Sequence, residues 1–211
     1  MSPPAAPLRS PAPDSLALDS PASDAPAPEL FDPLQLRRAL GSFGTGVTVV
    51  STLAAGGGLV GVTANSFSSV SLYPPIVLWS LNRRSASLPA FDACGRFVVN
   101  VLGLDQVAES RRFATSQPDR FDGVAHRRGL AGLPVLHGAT ANFECSTVQR
   151  LEVGDHILFL GRVEAFEHRH GAGLLYCQGR YAQGVSLEGL EQGLRSTPAP
   201  APIPIDHRKP T

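Results

Sequence analysis

The chain is 211 residues long, enough for one ordinary domain and short for two. Its 18 Lys and Arg balance 18 Asp and Glu, so it lacks the basic excess with which a nucleic-acid binder displaces counterions from phosphates. Charged residues stand at 17% and hydrophobic residues at 43%, a balance that lets the chain bury a sizeable core.

Proline marks the limits of the folded part. Residues 1–30 hold eight of the nineteen prolines, mixed with Ala, Ser and Asp, and the last fifteen residues hold five more. Segments so poor in apolar side chains cannot offset the entropy of ordering. The expectation is a disordered Pro/Ala-rich tail over 1–30, one folded domain over 31–186, and a short helix or coil running into a Pro-rich tail over 187–211. The first residues lack the roughly 7–15-residue apolar stretch of a signal peptide, and no run approaches the ~18 apolar residues of a membrane-spanning helix.

The domain opens with a predicted helix. Asp32 can cap it, Pro33 suits the first helical position, and Gln35 completes a capping box. Leu36, Ala39, Leu40 and Phe43 recur at helical spacing, and Gly41 supplies a stop. The period then changes. A β-branched strand is predicted over 47–53, a glycine-rich turn through Gly56, Gly57 and Gly58, and a returning strand over 59–63. Further strands are predicted over 76–81, 96–102, 139–151, 156–167 and 174–177, with short helices near 86–93 and 105–114. Short, turn-bounded strands without βαβ alternation favour a mainly β, antiparallel barrel or sandwich over a doubly wound sheet.

The common nucleotide and metal fingerprints are missing: there is no G-x-G-x-x-G, no G-x-x-x-x-G-K-[ST] and no H-E-x-x-H. Cys94, Cys145 and Cys177 are odd in number and form no C-x-x-C, which fits a reducing, cytoplasmic setting. His168 and His170 alternate on a strand-like segment with no third ligand in view, as expected of a solvated hairpin end. Three stretches look unlike pure scaffold. Thr63-Ala64-Asn65-Ser66-Phe67-Ser68-Ser69-Val70-Ser71 follows a good strand with hydroxyls and amides suited to a flat polar ligand. A Ser-rich loop is the plainer alternative. Trp79-Ser80-Leu81-Asn82-Arg83-Arg84-Ser85 ends a strand in paired arginines beside a serine that can cap the next helix, and free N–H groups with a guanidinium suit a phosphate. Its alternative is a capped helix with surface arginines. Gly154-Asp155-His156 sets a lone histidine at the start of an apolar strand, a barrel-rim position, unless the histidine is purely structural.

Taken in order, these segments resemble the short-chain flavin reductases, the NAD(P)H:flavin oxidoreductase partners of two-component flavin monooxygenases. The resemblance is carried by Phe43-Gly44-Thr45-Gly46-Val47-Thr48-Val49-Val50, the run from Gly61 to Leu72, Phe97-Val98-Val99-Asn100-Val101-Leu102, Leu133-Pro134-Val135-Leu136 and Gly154-Asp155-His156. Leu174-Leu175-Tyr176 with Gly179-Arg180-Tyr181 completes the pattern, which covers residues 31–184.

The resemblance implies an FMN-binding split barrel, a Greek-key antiparallel β-barrel with a few short helices, that usually forms homodimers with flavin near the interface. By the same resemblance, Thr63, Ala64, Asn65 and Ser66 line the isoalloxazine and ribityl chain, with Ser69 and Val70 along the same wall. The stretch from Trp79 to Ala86, with Ser80, Leu81 and Asn82, holds the ribityl-phosphate end, with Arg84 and Ser85 as phosphate ligands and Arg83 as the alternative to Arg84. Asn100 and Phe113 match further flavin-proximal positions. His156 matches a histidine that positions the nicotinamide donor, and Tyr181 stands at the same mouth. The implied cofactors are FMN or FAD with NADH or NADPH, NADH being the family-weighted choice. Arg127 and Arg128 are candidates for a 2′-phosphate, with a solvated basic loop as the alternative. Hydride would pass from nicotinamide C4 to flavin N5, needing ring positioning and hydrogen-bond donors rather than a metal or nucleophile. The reduced flavin would leave for a partner monooxygenase. The competing expectation is a flavin-binding redox sensor or carrier without NADH turnover, against which the Gly154-Asp155-His156 element argues.

Overall fold

A computed structural model describes residues 32–185, so the expectations for 1–30 and 187–211 lie outside the described residues. The chain opens with α1 (Pro33–Leu40), followed by β1 (Thr45–Gly46), β2 (Thr48–Leu53), β3 (Leu59–Ala64), β4 (Ser68–Leu72) and β5 (Pro75–Asn82). After α2 (Leu88–Cys94) come β6 (Arg96–Val101), α3 (Val107–Phe113), β7 (His126–Arg128) and β8 (Pro134–Leu136). A long hairpin of β9 (Ala141–Val153) and β10 (His156–His168) precedes β11 (Leu174–Cys177) and β12 (Arg180–Gln183). Seven strands form one sheet in the order β3-β2-β6-β9-β10-β5-β4, with smaller sheets β1-β11-β12 and β7-β8 beside it. Every pairing is antiparallel. Just past β3, the Ser66 hydroxyl accepts from Ser80 N at 2.9 Å and donates to Ser80 O at 3.2 Å. This bond draws β3 onto β5 from the far side of the sheet order, as barrel closure requires.

Packing explains the strand patterns. On β5, Val77, Trp79 and Leu81 alternate inward. β2 does not alternate: Thr48, Ser51 and Thr52 are buried along with its valines. A strand buried on both faces must satisfy its hydroxyls. Thr48 donates to Ala64 O at 2.7 Å, Ser51 to Pro134 O at 2.6 Å, and Thr52 to Arg96 O at 2.7 Å. Inside the barrel, Trp79 stacks on Phe159 at 4.9 Å and meets Phe91 and Phe97 edge-on at 4.8 and 5.7 Å. Gly161 makes room for this cluster, since a Cβ there would lie 2.3 Å from Phe97 Cζ. A second cluster joins Val47, Val49, Leu102, Phe113, Phe121, Leu136 and Leu174.

Two local expectations are revised, and the helix start is as expected. The Ser-rich run holds a strand, β4, none of whose residues is buried; a strand at the sheet's end needs no apolar alternation to form. Asp32 does cap α1, accepting from Leu34 N at 2.9 Å. Yet α1 buries no residue, and Leu34, Leu36, Leu40 and nearby Phe43 lie exposed. The helix before β6 starts at Leu88 with Ser87 as its N-cap residue, so Ser85 does not cap it. The glycine run is a hairpin tip, with Ala54 N bonded to Gly58 O at 2.8 Å and Gly57 at φ +79°.

The three cysteines are free. Burial, aided by the nearby charges of Glu164 and Glu144, pushes the Cys145 thiol up to about 12. A thiol reagent at about pH 8 attacks the thiolate, so Cys94 and Cys177, both partly exposed, are expected to react in the native protein. Cys145 should react only on unfolding. Three equal native rates would contradict this.

Candidate active site

A cleft of about 530 Å³ opens where the end of β3, the end of β5, the start of β10 and the loop after α3 converge. From β3 and its extension come Val62, Thr63, Ala64, Asn65 and Ser66, and from β5 and the following turn come Ser80, Leu81, Asn82, Arg84, Ser85, Ala86 and Ser87. Phe113, Ala114, Thr115, Ser116, Arg120 and His156 complete the lining.

The sheet register sets this convergence. β10 pairs β5 with His156 opposite Asn82, so a strand start and a strand end open into one mouth. Phe113 packs against β3 because residue 61 is glycine: a Cβ there would come 2.7 Å from Phe113 Cε1. The turn before β10 uses Gly154 at φ +56°, a left-handed conformation that glycine adopts without steric cost. Asp155 O then accepts from Arg83 N at 2.9 Å, tying this turn to the one after β5.

His156 Nδ1 lies 2.8 Å from Asp155 Oδ1. An ionised Asp155 carboxylate can only accept, so this contact places a proton on Nδ1. The hydrogen bond from His156 and its charge hold the Asp155 carboxyl below the usual carboxylate range, with Arg84 adding to the effect. Because the folded-state value is depressed, the ionised carboxylate supports the fold at neutral pH, and that support is lost as pH falls through that value.

The two adjacent arginines part company. Arg83 turns to Glu152, 3.4 Å away, whereas Arg84 lines the cleft with its amide held by Asn82 Oδ1 at 2.9 Å. Ser85 N bonds Asn82 O at 2.9 Å, and Ser87 N bonds Ser85 Oγ at 3.3 Å. The amides of Arg84, Ser85 and Ser87 are therefore engaged, whereas among the described residues Ala86 N has no partner, so the turn offers an anion the Arg84 guanidinium, small hydroxyls and one free N–H. Across the cleft, Arg120 donates to Ser87 Oγ at 3.0 Å and to Phe113 O at 3.4 Å. Burial lowers its guanidinium from the ordinary value. Among the described residues no Asp or Glu lines the cleft, so its field favours an anion.

Of the residues singled out from the sequence, Thr63, Ala64, Asn65, Ser66, Ser80, Leu81, Asn82, Arg84, Ser85, Phe113 and His156 all line this cleft. Five do not. Ser69 and Val70 lie exposed on β4, where a bulge interrupts the pairing with β5. Trp79 points into the barrel because strand alternation sends it opposite to Ser80. Asn100 is 0% exposed, and protein groups bind both ends of its amide. Its Nδ2 donates to Val49 O at 2.9 Å and Ser51 Oγ at 3.0 Å, while its Oδ1 accepts from Leu136 N at 2.9 Å and Asn142 Nδ2 at 2.8 Å. Tyr181 lines a neighbouring pocket of about 220 Å³ that shares Thr63, Asn65 and Ala114 with the main cleft; its hydroxyl lies 2.9 Å from Ser110 Oγ. Arg127 is engaged by Glu144 at 3.5 Å and Glu167 at 2.6 Å. His168 and His170 are exposed, their rings 6.0 Å apart. The polar residues missed were Ser87, Thr115, Ser116 and Arg120, which no local motif marks; the one hint was Phe121, an aromatic anchor beside an arginine.

With this cleft on this barrel, the chain belongs to the flavin reductase like domain family, whose model matches residues 40–184. It is 46% identical over 153 residues to a Rhizobium meliloti (strain 1021) protein named "Probable flavin reductase", an alignment covering 72% of this chain and 49% of that one. It is 40% identical over 147 residues to the reductase component of the flavin-dependent trigonelline monooxygenase of Acinetobacter baylyi, covering 70% and 47% of the two chains. The chain thus spans about half the length of these two relatives. The structure of the Streptomyces globisporus NADH:FAD oxidoreductase SgcE6, in complex with NAD and FAD fragments, superposes with a TM-score of 0.70 at 39% identity, covering 74% of this chain and 97% of that one.

Proposed function

We propose that this chain is an NAD(P)H-dependent flavin reductase, passing hydride from a nicotinamide donor to FMN or FAD and supplying reduced flavin to a partner monooxygenase. The observation that carries the proposal is the cleft itself. A wall of small hydroxyls and amides from Thr63 to Ser66 faces guanidiniums at Arg84 and Arg120, with His156 at the rim and, among the described residues, no carboxylate in the lining. The flavin, when bound, supplies the electron-accepting ring. The protein binds and orients it: Asn65 offers its side-chain amide along one edge, the hydroxyls of Thr63 and Ser66, whose protons go to Ser110 O and Ser80 O, offer acceptors only, and Arg84 with Ser85 takes the phosphate end. His156, steered by Asp155, positions the donor. Of the two candidates for a 2′-phosphate, Arg127 is engaged by two carboxylates and Arg128 lies outside the cleft lining, which supports NADH over NADPH. The named chemistry of SgcE6 and of the trigonelline monooxygenase component supports the same donor and the same kind of partner.

The decisive experiment is anaerobic stopped-flow, mixing protein and FMN or FAD with NADH or NADPH while following loss of the visible flavin band. Rapid, protein-dependent bleaching is expected. Flavin binding without bleaching by either donor would favour the sensor or carrier reading instead. His156→Ala should raise the KM for the donor several-fold while leaving flavin affinity within about twofold, the signature of lost donor positioning. A large loss of flavin binding at unchanged donor KM would refute that role.

A homodimer is part of the proposal. Phe43 is 77% exposed, Leu72 78% and Tyr73 94%, apolar side chains that a second copy would cover; sedimentation would detect it. No helix among the described residues is long and apolar enough to cross a membrane, and we place the reaction in the cytoplasm, where free thiols persist.

A further inference from the structure

Arg84 and Arg120 reach the cleft from segments far apart in the chain, one on the turn after β5 and one on the loop after α3. Some arginines near the barrel ends are paired with carboxylates and others, Arg96, Arg128 and Arg180 among them, are not; Arg84 and Arg120 are the two that line the cleft. Arg83, Arg127, Arg150 and Arg169 each sit within 4.0 Å of a carboxylate, whereas among the described residues Arg84 and Arg120 have no such partner. Arg120 is nevertheless held in place. Asp119 before it takes φ +52°, a left-handed turn that aspartate tolerates. Phe121 after it is buried, packed edge-on against Phe113 at 4.9 Å. Its bonds to Ser87 Oγ and Phe113 O leave guanidinium donors over. A partly desolvated cation without a counter-charge is costly, and an anion entering the cleft removes that cost.

We infer that Arg120 is a second phosphate-binding residue of the cleft, acting with Arg84, and that the ligand it selects is a dinucleotide flavin, whose diphosphate offers one anionic group to each guanidinium. A mononucleotide has a single phosphate, which Arg84 and the neighbouring hydroxyls can hold, and it leaves Arg120 uncompensated. The inference rests on the flavin-binding reading above.

The test is equilibrium titration of FAD and of FMN into wild type, Arg120→Gln and Arg120→Lys, with a thermal melt of each protein. Wild type should prefer FAD. Loss of a charge-assisted contact in Arg120→Gln should weaken FAD about tenfold or more while FMN stays within about twofold. Arg120→Lys should recover part of the FAD affinity. Equal losses for both flavins, or no loss for either, would overturn the inference while leaving the flavin site standing. If wild type binds neither flavin, the flavin reading itself falls and takes the inference with it. Should Arg120→Gln unfold, displacement of FAD from wild type decides: pyrophosphate should compete at lower concentration than inorganic phosphate, and equal potency would overturn the inference.

Discussion

Trp79→Ala is expected to lower the free energy of unfolding by about 3–5 kcal/mol, the usual cost of deleting a large aromatic from a packed core. Trp79 is 0% exposed and touches three phenylalanines drawn from α2, β6 and β10. Its removal leaves a void that those elements, tied into one sheet and its flanking helix, cannot collapse to fill. Trp79→Phe should cost much less. Among the described residues the buried indole Nε1 has no hydrogen-bond partner, so the smaller ring loses packing but also removes an unsatisfied donor. Urea unfolding followed by far-UV circular dichroism separates the two variants. A loss below about 1 kcal/mol for Trp79→Ala, at unchanged m value, would mean the core repacks and the void never forms.

Asn100→Ala should cost about 2–4 kcal/mol, because one amide serves four partners and its loss strands more than one buried polar group. Leu136 N and Asn142 Nδ2 lose their acceptor, and Val49 O loses a donor. Asn100→Asp is the sharper variant. It keeps the shape but turns an oxygen toward Val49 O and Ser51 Oγ, whose proton is already given to Pro134 O. It should therefore be at least as unstable as the alanine variant. The folded fraction of Asn100→Ala should bind flavin like wild type. Weakened flavin binding at wild-type stability would return Asn100 to the ligand site that the family resemblance suggested for it.

Much of the barrel was readable residue by residue because its signals are local. Alternation of Val77, Trp79 and Leu81 declares a half-buried strand, and three glycines after β2 declare a turn. The Asp32-Pro33 pair declares a helix start. The cleft was readable for the same reason, since most of its lining is two continuous stretches, one after β3 and one at the end of β5. What escaped depends on contacts between distant residues. The apolar spacing in α1 marks a helix, but whether the chain itself covers its apolar side is decided by elements elsewhere. Asn100 sits among valines with nothing nearby in sequence to announce Ser51, Leu136 and Asn142 as its partners. Arg120 enters the cleft only because Phe121 finds Phe113, and β4 hides among serines because a strand at the end of a sheet can form without a hydrophobic face.

Trp79 is the chain's one tryptophan, and its neighbour on β5, Ser80, lines the cleft. The protein therefore carries an optical gauge set one residue behind its ligand wall. Indole emission from a dry aromatic nest lies to the blue and moves red on hydration. It also overlaps isoalloxazine absorption, so a flavin in the cleft would drain it by energy transfer. A single emission spectrum can report both whether the barrel is closed and whether the cleft is filled, and for Asn100 variants those are the two quantities that must be told apart.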